Sequence, residues 1–488
     1  MKNHPKLKSL AVLLLMTTLA MLVQGYHPGL EDDAFYLAAI KRDLNPALFP
    51  HDADFFRLQF QATVFDKLIA ASIHLTRIPL EWAIFLWQFA SIFLILGACY
   101  QIARRCFLES HAQWAAVAAV AAVLAIPVAG TAISLTDQYL HPRALATAAI
   151  VGAIVAVLKR RPAMAAIFLV LAFALHAIMA AFGVSYCLFL AARRSESVRL
   201  PRAIAAATLF PLSWIFEPAS PAWRAAASTR SFYFLRSWHW YEWLGVVGPL
   251  LIVWAMAGLA RRRSLPTLYY LSARLLYFAI FQLAVALAIM LPSQFERLRP
   301  FEPMRYLQLV YLLMFLFAGG LIGQFFLRKR VFLWLALFLP LGLGMFYAQR
   351  QMYPASPHLE LPGVHSTNPW LATFAWIRSN TPVNSYFALD PDYMKLPGED
   401  FHGFRALAER SVLSDYTKDA GMAARVPELA PRWQKEVAAE AGWQHFKVSD
   451  FHRLKEEFGV NWVVLAAPSP AGMDCPHREQ GLSVCRVE

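Results

Sequence analysis

Apolar residues run in long blocks through the first 350 positions, and short basic clusters separate the blocks. A helix that crosses a bilayer needs about 20 mostly apolar residues. Blocks of that kind lie near 9–25, 82–100, 113–133, 144–158, 200–216, 244–260, 267–291, 304–326 and 331–348. The clusters between them are Lys2/Lys6/Lys8, Arg104/Arg105, Lys159 to Arg161, Arg193/Arg194/Arg199/Arg202, Arg261 to Arg263 and Arg328 to Arg330. Lysine and arginine beside spans mark the cytoplasmic side.

The block 163–192 has basic residues at both ends, so it must cross an even number of times. As one helix it would be about 45 Å long, well beyond a hydrocarbon core of ~30 Å. It therefore splits into two short helices that turn near His176. With that split every basic cluster faces the cytoplasm. The predicted fold class is an α-helical polytopic membrane protein of about 11 transmembrane helices with a small C-terminal α/β domain. The transmembrane part covers 1–349, with a first outer loop at 26–81. Residues 350–488 form the extracytoplasmic domain. The first apolar run is read as an uncleaved helix, because only the weak motif Val23-Gln24-Gly25 follows it.

Composition agrees. Hydrophobic residues make up 58% and charged residues 16% of the 488, against roughly 25% charged in a soluble domain. The net charge of +13 does not point to nucleic acid. Residues 1–349 hold 31 Lys+Arg and 15 Asp+Glu, whereas 350–488 hold 14 and 17. The excess belongs to the clusters that orient the spans. Of the 15 early acids, only Glu109 and Glu196 fall on the cytoplasmic side, and eight lie in the first outer loop.

That loop opens with Glu31-Asp32-Asp33. A short surface helix is expected over 34–44, with Asp32 or Asp33 at its start, and an amphipathic helix over 59–75. The acids serve either as a helix cap or as a base or cation site, since adjacent carboxylates raise one another's pKa. The next outer loop brings Asp137, His141 and Arg143 within seven residues. His176 is either a turn histidine or a further member of this group. Arg297 and Arg305 flank Glu302 and are candidates for an anionic headgroup.

In the tail, a helix opens at Asn368-Pro369, strands are expected at 385–389, 460–466 and 481–487, and a helix ends at Gly459. Cys475 and Cys485 are expected to pair as a disulfide. No zinc spacing, P-loop, GxGxxG or GxSxG occurs in a credible context.

This order of parts resembles the GT-C-type membrane glycosyltransferases, which include the protein mannosyltransferases and the oligosaccharyltransferase catalytic subunit. The resemblance rests on Glu31-Asp32-Asp33 after the first span, the loop helices near 34–44 and 59–75, many short spans and a tail from about 350. It implies a polyprenyl-phosphate-linked sugar donor and an acceptor at the outer leaflet of the inner membrane. A strict Asp-x-Asp is missing, which leaves open whether a divalent cation serves as cofactor. On this reading Asp32, or next Asp33, takes the acceptor proton. Glu31 and Asp137 hold the acceptor or a cation. His141, Arg143, His176, Arg297 and Arg305 bind the substrate and its phosphate. The rival readings are a transporter or flippase of lipid-linked glycans and a non-catalytic protein of the same fold.

Overall fold

A computed structural model describes residues 5–192, 218–364, 366–466 and 468–488. The expected span 200–216 and the cluster from Arg193 to Arg202 lie outside the described residues. The chain is a multi-pass membrane protein with a small C-terminal sheet domain. Six of its described helices are long and apolar enough to cross a bilayer, and three shorter apolar ones accompany them.

The first helix, α1, is Pro5–Gln24, and α2 is Asp33–Leu44. Eight of the twelve residues of α2 are buried. The expected surface helix is thus a buried one, because the tail covers the side that would face water. Gly403 of the tail lies so close to α2 that a Cβ there would meet Ala34 Cα at 2.6 Å. The expected helix 59–75 is two helices, α3 at Arg57–Ala62 and α4 at Phe65–Thr76. Thr63 breaks it: its Oγ1 accepts from Phe65 N at 3.1 Å and donates to Leu175 O at 2.9 Å.

The bundle continues with α5 (Leu80–Cys106) and α6 (Ser110–Ala122). The block expected at 113–133 is helical only as far as Ala122. Pro127 lacks an N–H to continue a helix, and it forms a bridge with Ser134 instead. The rest of that block becomes the loop that carries Asp137. Next come α7 (Pro142–Leu158), α8 (Pro162–Leu175) and α9 (Ala177–Ala191). The break at His176 is present. Gly152 of α7 packs on Phe168 of α8, and Ile150 of α7 packs on Gly183 of α9. The helices α8 and α9 therefore run side by side as a hairpin against α7.

A short helix α10 (Pro221–Ser228) precedes α11 (Trp240–Arg262), α12 (Pro266–Met290), α13 (Leu307–Ile322) and α14 (Val331–Met352). Basic residues gather at one end of these helices. Arg105 Nη1 reaches Leu158 O at 3.3 Å, and Arg274 Nη2 reaches Ala192 O at 3.0 Å. Arg263 lies over the Phe325 ring, 5.0 Å from its centre. The acidic loops and His176 occupy the opposite end.

The tail holds α15 (Pro369–Asn380), α16 (Phe404–Ala408), α17 (Asp419–Arg425), α18 (Ala430–Ala439) and α19 (Val448–Phe458). Asn368 caps α15 by accepting from Trp370 N at 2.9 Å. The strands are β1 (Tyr386–Ala388), β2 (Ser411–Val412), β3 (Trp462–Leu465), β4 (His477–Glu479) and β5 (Leu482–Arg486), ordered β2-β1-β3-β5-β4. The first three are parallel, and β4 and β5 add antiparallel. Gln480 and Gly481 both take positive φ, +46° and +88°, which suits a two-residue hairpin turn. Cys475 and Cys485 form a disulfide.

Charged groups lock the tail onto the first loop. Arg405 contacts Asp52 Oδ2 and donates to both oxygens of Asp419 at 2.8 and 2.9 Å. Lys41 Nζ meets Glu409 Oε1 at 2.7 Å. Glu360 lies between His27 Nδ1 at 2.7 Å and His402 Nε2 at 3.2 Å. Burial opposes charge on His402, but Glu360 and then Glu399 push its pKa up to about 9.

Candidate functional site

The sequence places the candidate acids and bases in four separate segments. The fold brings most of them to one place, at the end of the bundle away from the basic clusters. Asp32 immediately precedes α2 yet makes no side-chain cap bond. Its carboxylate turns outward, with Oδ1 3.0 Å from Lys418 Nζ and Oδ2 3.9 Å from His141 Nε2. Glu31 Oε2 contacts the same Lys418 Nζ. Glu31 has φ +53°, a left-handed conformation that costs a non-glycine residue roughly 1–2 kcal/mol. Glu302, across the site, has φ +51°.

Asp33 goes elsewhere. It is buried, and its Oδ2 accepts from Gly29 N at 2.6 Å. Burial pushes its pKa to about 7. Asp33 lines neither cavity of the site.

His141 caps α7 through Nδ1, which accepts from Arg143 N at 2.9 Å. Burial, then the Arg143 charge, holds this imidazole well below its usual pKa. A neutral ring that accepts at Nδ1 carries its proton on Nε2, the nitrogen that faces Asp32. Tyr36 packs edge-on against His141, ring centres 4.8 Å apart, and the His176 ring lies 6.2 Å from it. Arg143 Nη2 binds Asp137 Oδ1 at 2.5 Å, while its Nε and Nη1 are buried without a hydrogen-bond partner. Gln88 fixes the same loop by donating to Asp137 O at 2.8 Å.

Two residues that sequence reasoning did not single out complete the site, and both come from the tail. Lys418 lies just before α17 and Arg425 at its end. Arg425 Nη2 binds Glu302 Oε1 at 2.7 Å, and Arg305 binds the other oxygen of Glu302. Burial raises the Asp32 pKa, but Lys418 and then the neighbouring positive groups outweigh it. The carboxyl is held well below its ordinary range. No local pattern marks Lys418, which lies 386 positions from Asp32 along the chain.

Two cavities meet here. One, about 290 Å³, is lined by polar groups that include Glu31, Asp32, Asp137, Arg143, Arg230 and Lys418. The other, about 300 Å³, is lined by Leu58, Leu175, Ile178, Trp223 and Phe301, with His141, His176 and Arg297 among them. Asp32, Tyr36, Arg305 and Arg425 line both. Arg297 reaches only the apolar one, where its Nη2 donates to Pro218 O at 3.1 Å. Among the described residues, no group of three or more His, Cys, Asp or Glu is arranged to hold a metal ion.

No protein-family model matches the sequence, and no curated protein matches it. Among solved structures, the chain is similar to the archaeal oligosaccharyltransferase AglB from Archaeoglobus fulgidus, in complex with an inhibitory peptide and a dolichol-phosphate. The identity is 14%, the match covers 94% of this chain and 69% of the other, and the TM-score is 0.37.

Proposed function

We propose that the protein is a membrane glycosyltransferase that moves a sugar from a polyprenyl-phosphate donor to an acceptor hydroxyl. The observation that carries this reading is the position of Asp32, a carboxylate at the junction of a polar and an apolar cavity. The apolar cavity suits the first isoprene units of a lipid. Arg305 and Arg425, which line both cavities, suit the phosphate between lipid and sugar. The polar cavity suits the sugar and the acceptor.

In this reading the acceptor hydroxyl donates a hydrogen bond to Asp32. Its oxygen attacks the anomeric carbon of the donor sugar, and its proton passes to Asp32. The bond from that carbon to the phosphate oxygen breaks, and the electron pair leaves with the lipid phosphate. The two arginines stabilise the charge that grows on the leaving oxygen. Neutral His141 turns its Nε2 toward Asp32, 3.9 Å away. Arg143 is tied to Asp137, and its two free donors are available to the phosphate or the sugar. The basic clusters at the far end of the bundle support a cytoplasmic location for that end. The site and the tail then face outward, and the membrane is the inner (plasma) membrane.

Donor binding tests the phosphate assignment. Arg305→Gln and Arg425→Gln should each weaken binding of a polyprenyl phosphate about 10- to 100-fold, since a charge-assisted hydrogen bond contributes about 1.5–3 kcal/mol. The measurement is titration of the lipid into protein in nanodiscs, with a melting curve beside each variant. Unchanged affinity in both folded variants removes the phosphate from this place.

A further inference from the structure

Glu31 and Asp32 aim their carboxylates at one point, and Lys418 Nζ already fills it. The Lys418 side chain is only 6% exposed. Oxygens that converge in this way also suit a divalent cation, which sits 2.0–2.6 Å from each. An ammonium and a metal ion cannot share that volume, and they repel each other. We propose that Lys418 is the built-in cation of this site. It takes the position a divalent metal would need and keeps Asp32 aimed. The transfer at Asp32 then runs without a divalent cation. The proposal rests on the reading of Asp32 as the base.

The charges around the site support it. Four carboxylates meet here, and each already has a fixed positive partner. Glu31 and Asp32 share Lys418, Asp137 has Arg143, and Glu302 has Arg305 and Arg425. Four negative charges thus face four positive ones, with Arg230 in the cavity wall as a fifth. A divalent ion would add two positive charges where each carboxylate already has a positive neighbour. A phosphate brings the missing negative charge.

Lys418 is also held rigidly. Its backbone N–H donates to Asp415 Oδ1, and its carbonyl lies 3.5 Å from Arg230 Nη2. The next residue, Asp419, is gripped by Arg405 at 2.8 and 2.9 Å. The ammonium is therefore positioned by the same contacts that dock the tail, and Lys418 acts on the reaction through Asp32 as a positioning residue.

The test compares the full-length protein, Lys418→Ala and Lys418→Ala/Asp32→Asn in nanodiscs. Mn²⁺ binding is read by electron paramagnetic resonance, and turnover is read with EDTA and with added Mn²⁺. Native protein should bind no Mn²⁺ at this site and keep its turnover in EDTA. Lys418→Ala should lose about 100-fold in turnover, bind Mn²⁺ and regain part of the loss when Mn²⁺ is added. The double variant should no longer bind Mn²⁺. Native protein that binds Mn²⁺ through Asp32, or that stops in EDTA and restarts with Mn²⁺, overturns the proposal. So does a Lys418→Ala protein with full turnover in EDTA. The Mn²⁺ measurement on native protein and its Asp32→Asn variant needs neither turnover nor a folded Lys418→Ala. Mn²⁺ that binds native protein and is lost in Asp32→Asn overturns the role of Lys418 even where Asp32 proves not to be the base.

Discussion

Asp32→Asn should leave the protein folded and abolish turnover, with a loss of about 10²–10⁴-fold, the usual contribution of a general base. Asparagine keeps the size of the side chain and caps helices about as well as aspartate. A role limited to capping α2 would therefore leave the variant active. The structure already weakens that role, because the Asp32 side chain makes no cap bond. Its carboxylate is spent on Lys418 and faces His141. The companion variant Asp33→Asn should retain activity, since Asp33 is turned to Gly29 N and away from both cavities. Sugar transfer in membranes, with a melting curve for each variant, checks both. An active Asp32→Asn protein removes Asp32 from the chemistry, and a folded but dead Asp33→Asn protein beside it moves the base to Asp33.

Arg405→Met should be the most damaging single change to stability. Arg405 is 5% exposed, and its partners Asp52 and Asp419 are fully buried. It also donates to Val412 O at 3.1 Å and lies over the Phe55 ring. Removing one member of a buried ion pair strands the rest, at a cost of about 3–5 kcal/mol. Here two carboxylates are stranded at once. One belongs to the first loop and the other begins α17. The tail should loosen from the bundle, become sensitive to protease and carry Lys418 out of register with Asp32. Arg405→Lys keeps the charge but loses the forked geometry, so it should fall between the two. Limited proteolysis and melting temperature read the first effect, and turnover reads the second. A native-like Arg405→Met protein would show that the tail stays docked without the Arg405 ion pairs.

Much of this architecture is legible in the sequence because its signals are local. The hairpin at His176 follows from basic residues at both ends of one apolar block. Asn368-Pro369 and Gly459 mark helix ends where the structure has them. The break at Thr63 is hidden, because α3 and α4 share one amphipathic pattern and contacts with the distant Ala174 and Leu175 separate them. The early end of α6 turns on Pro127, whose apolar neighbours read as a continuing span. The buried face of α2 was illegible, since the groups that cover it lie hundreds of positions away. The same holds for the site. Glu31, Asp32, Asp137, His141 and Arg143 stand in the first two loops between apolar blocks and invite attention together. Lys418 and Arg425 are ordinary charged residues of a charged tail, and only the docking held by Arg405 brings them to the acids. Asp33 shows the converse. It shares the motif with Asp32, yet the helical turn points the two side chains to opposite sides.

The central claim is that a lipid phosphate binds where the two cavities meet, beside Asp32. A cryo-electron microscopy map of the protein in nanodiscs with a polyprenyl phosphate tests it most directly. The account predicts density for the isoprenoid between Leu58, Leu175 and Phe301, with the phosphate on Arg305 and Arg425 and Asp32 facing the polar cavity. Density that instead runs through the bundle toward the basic end, or that leaves both arginines unoccupied, would contradict it.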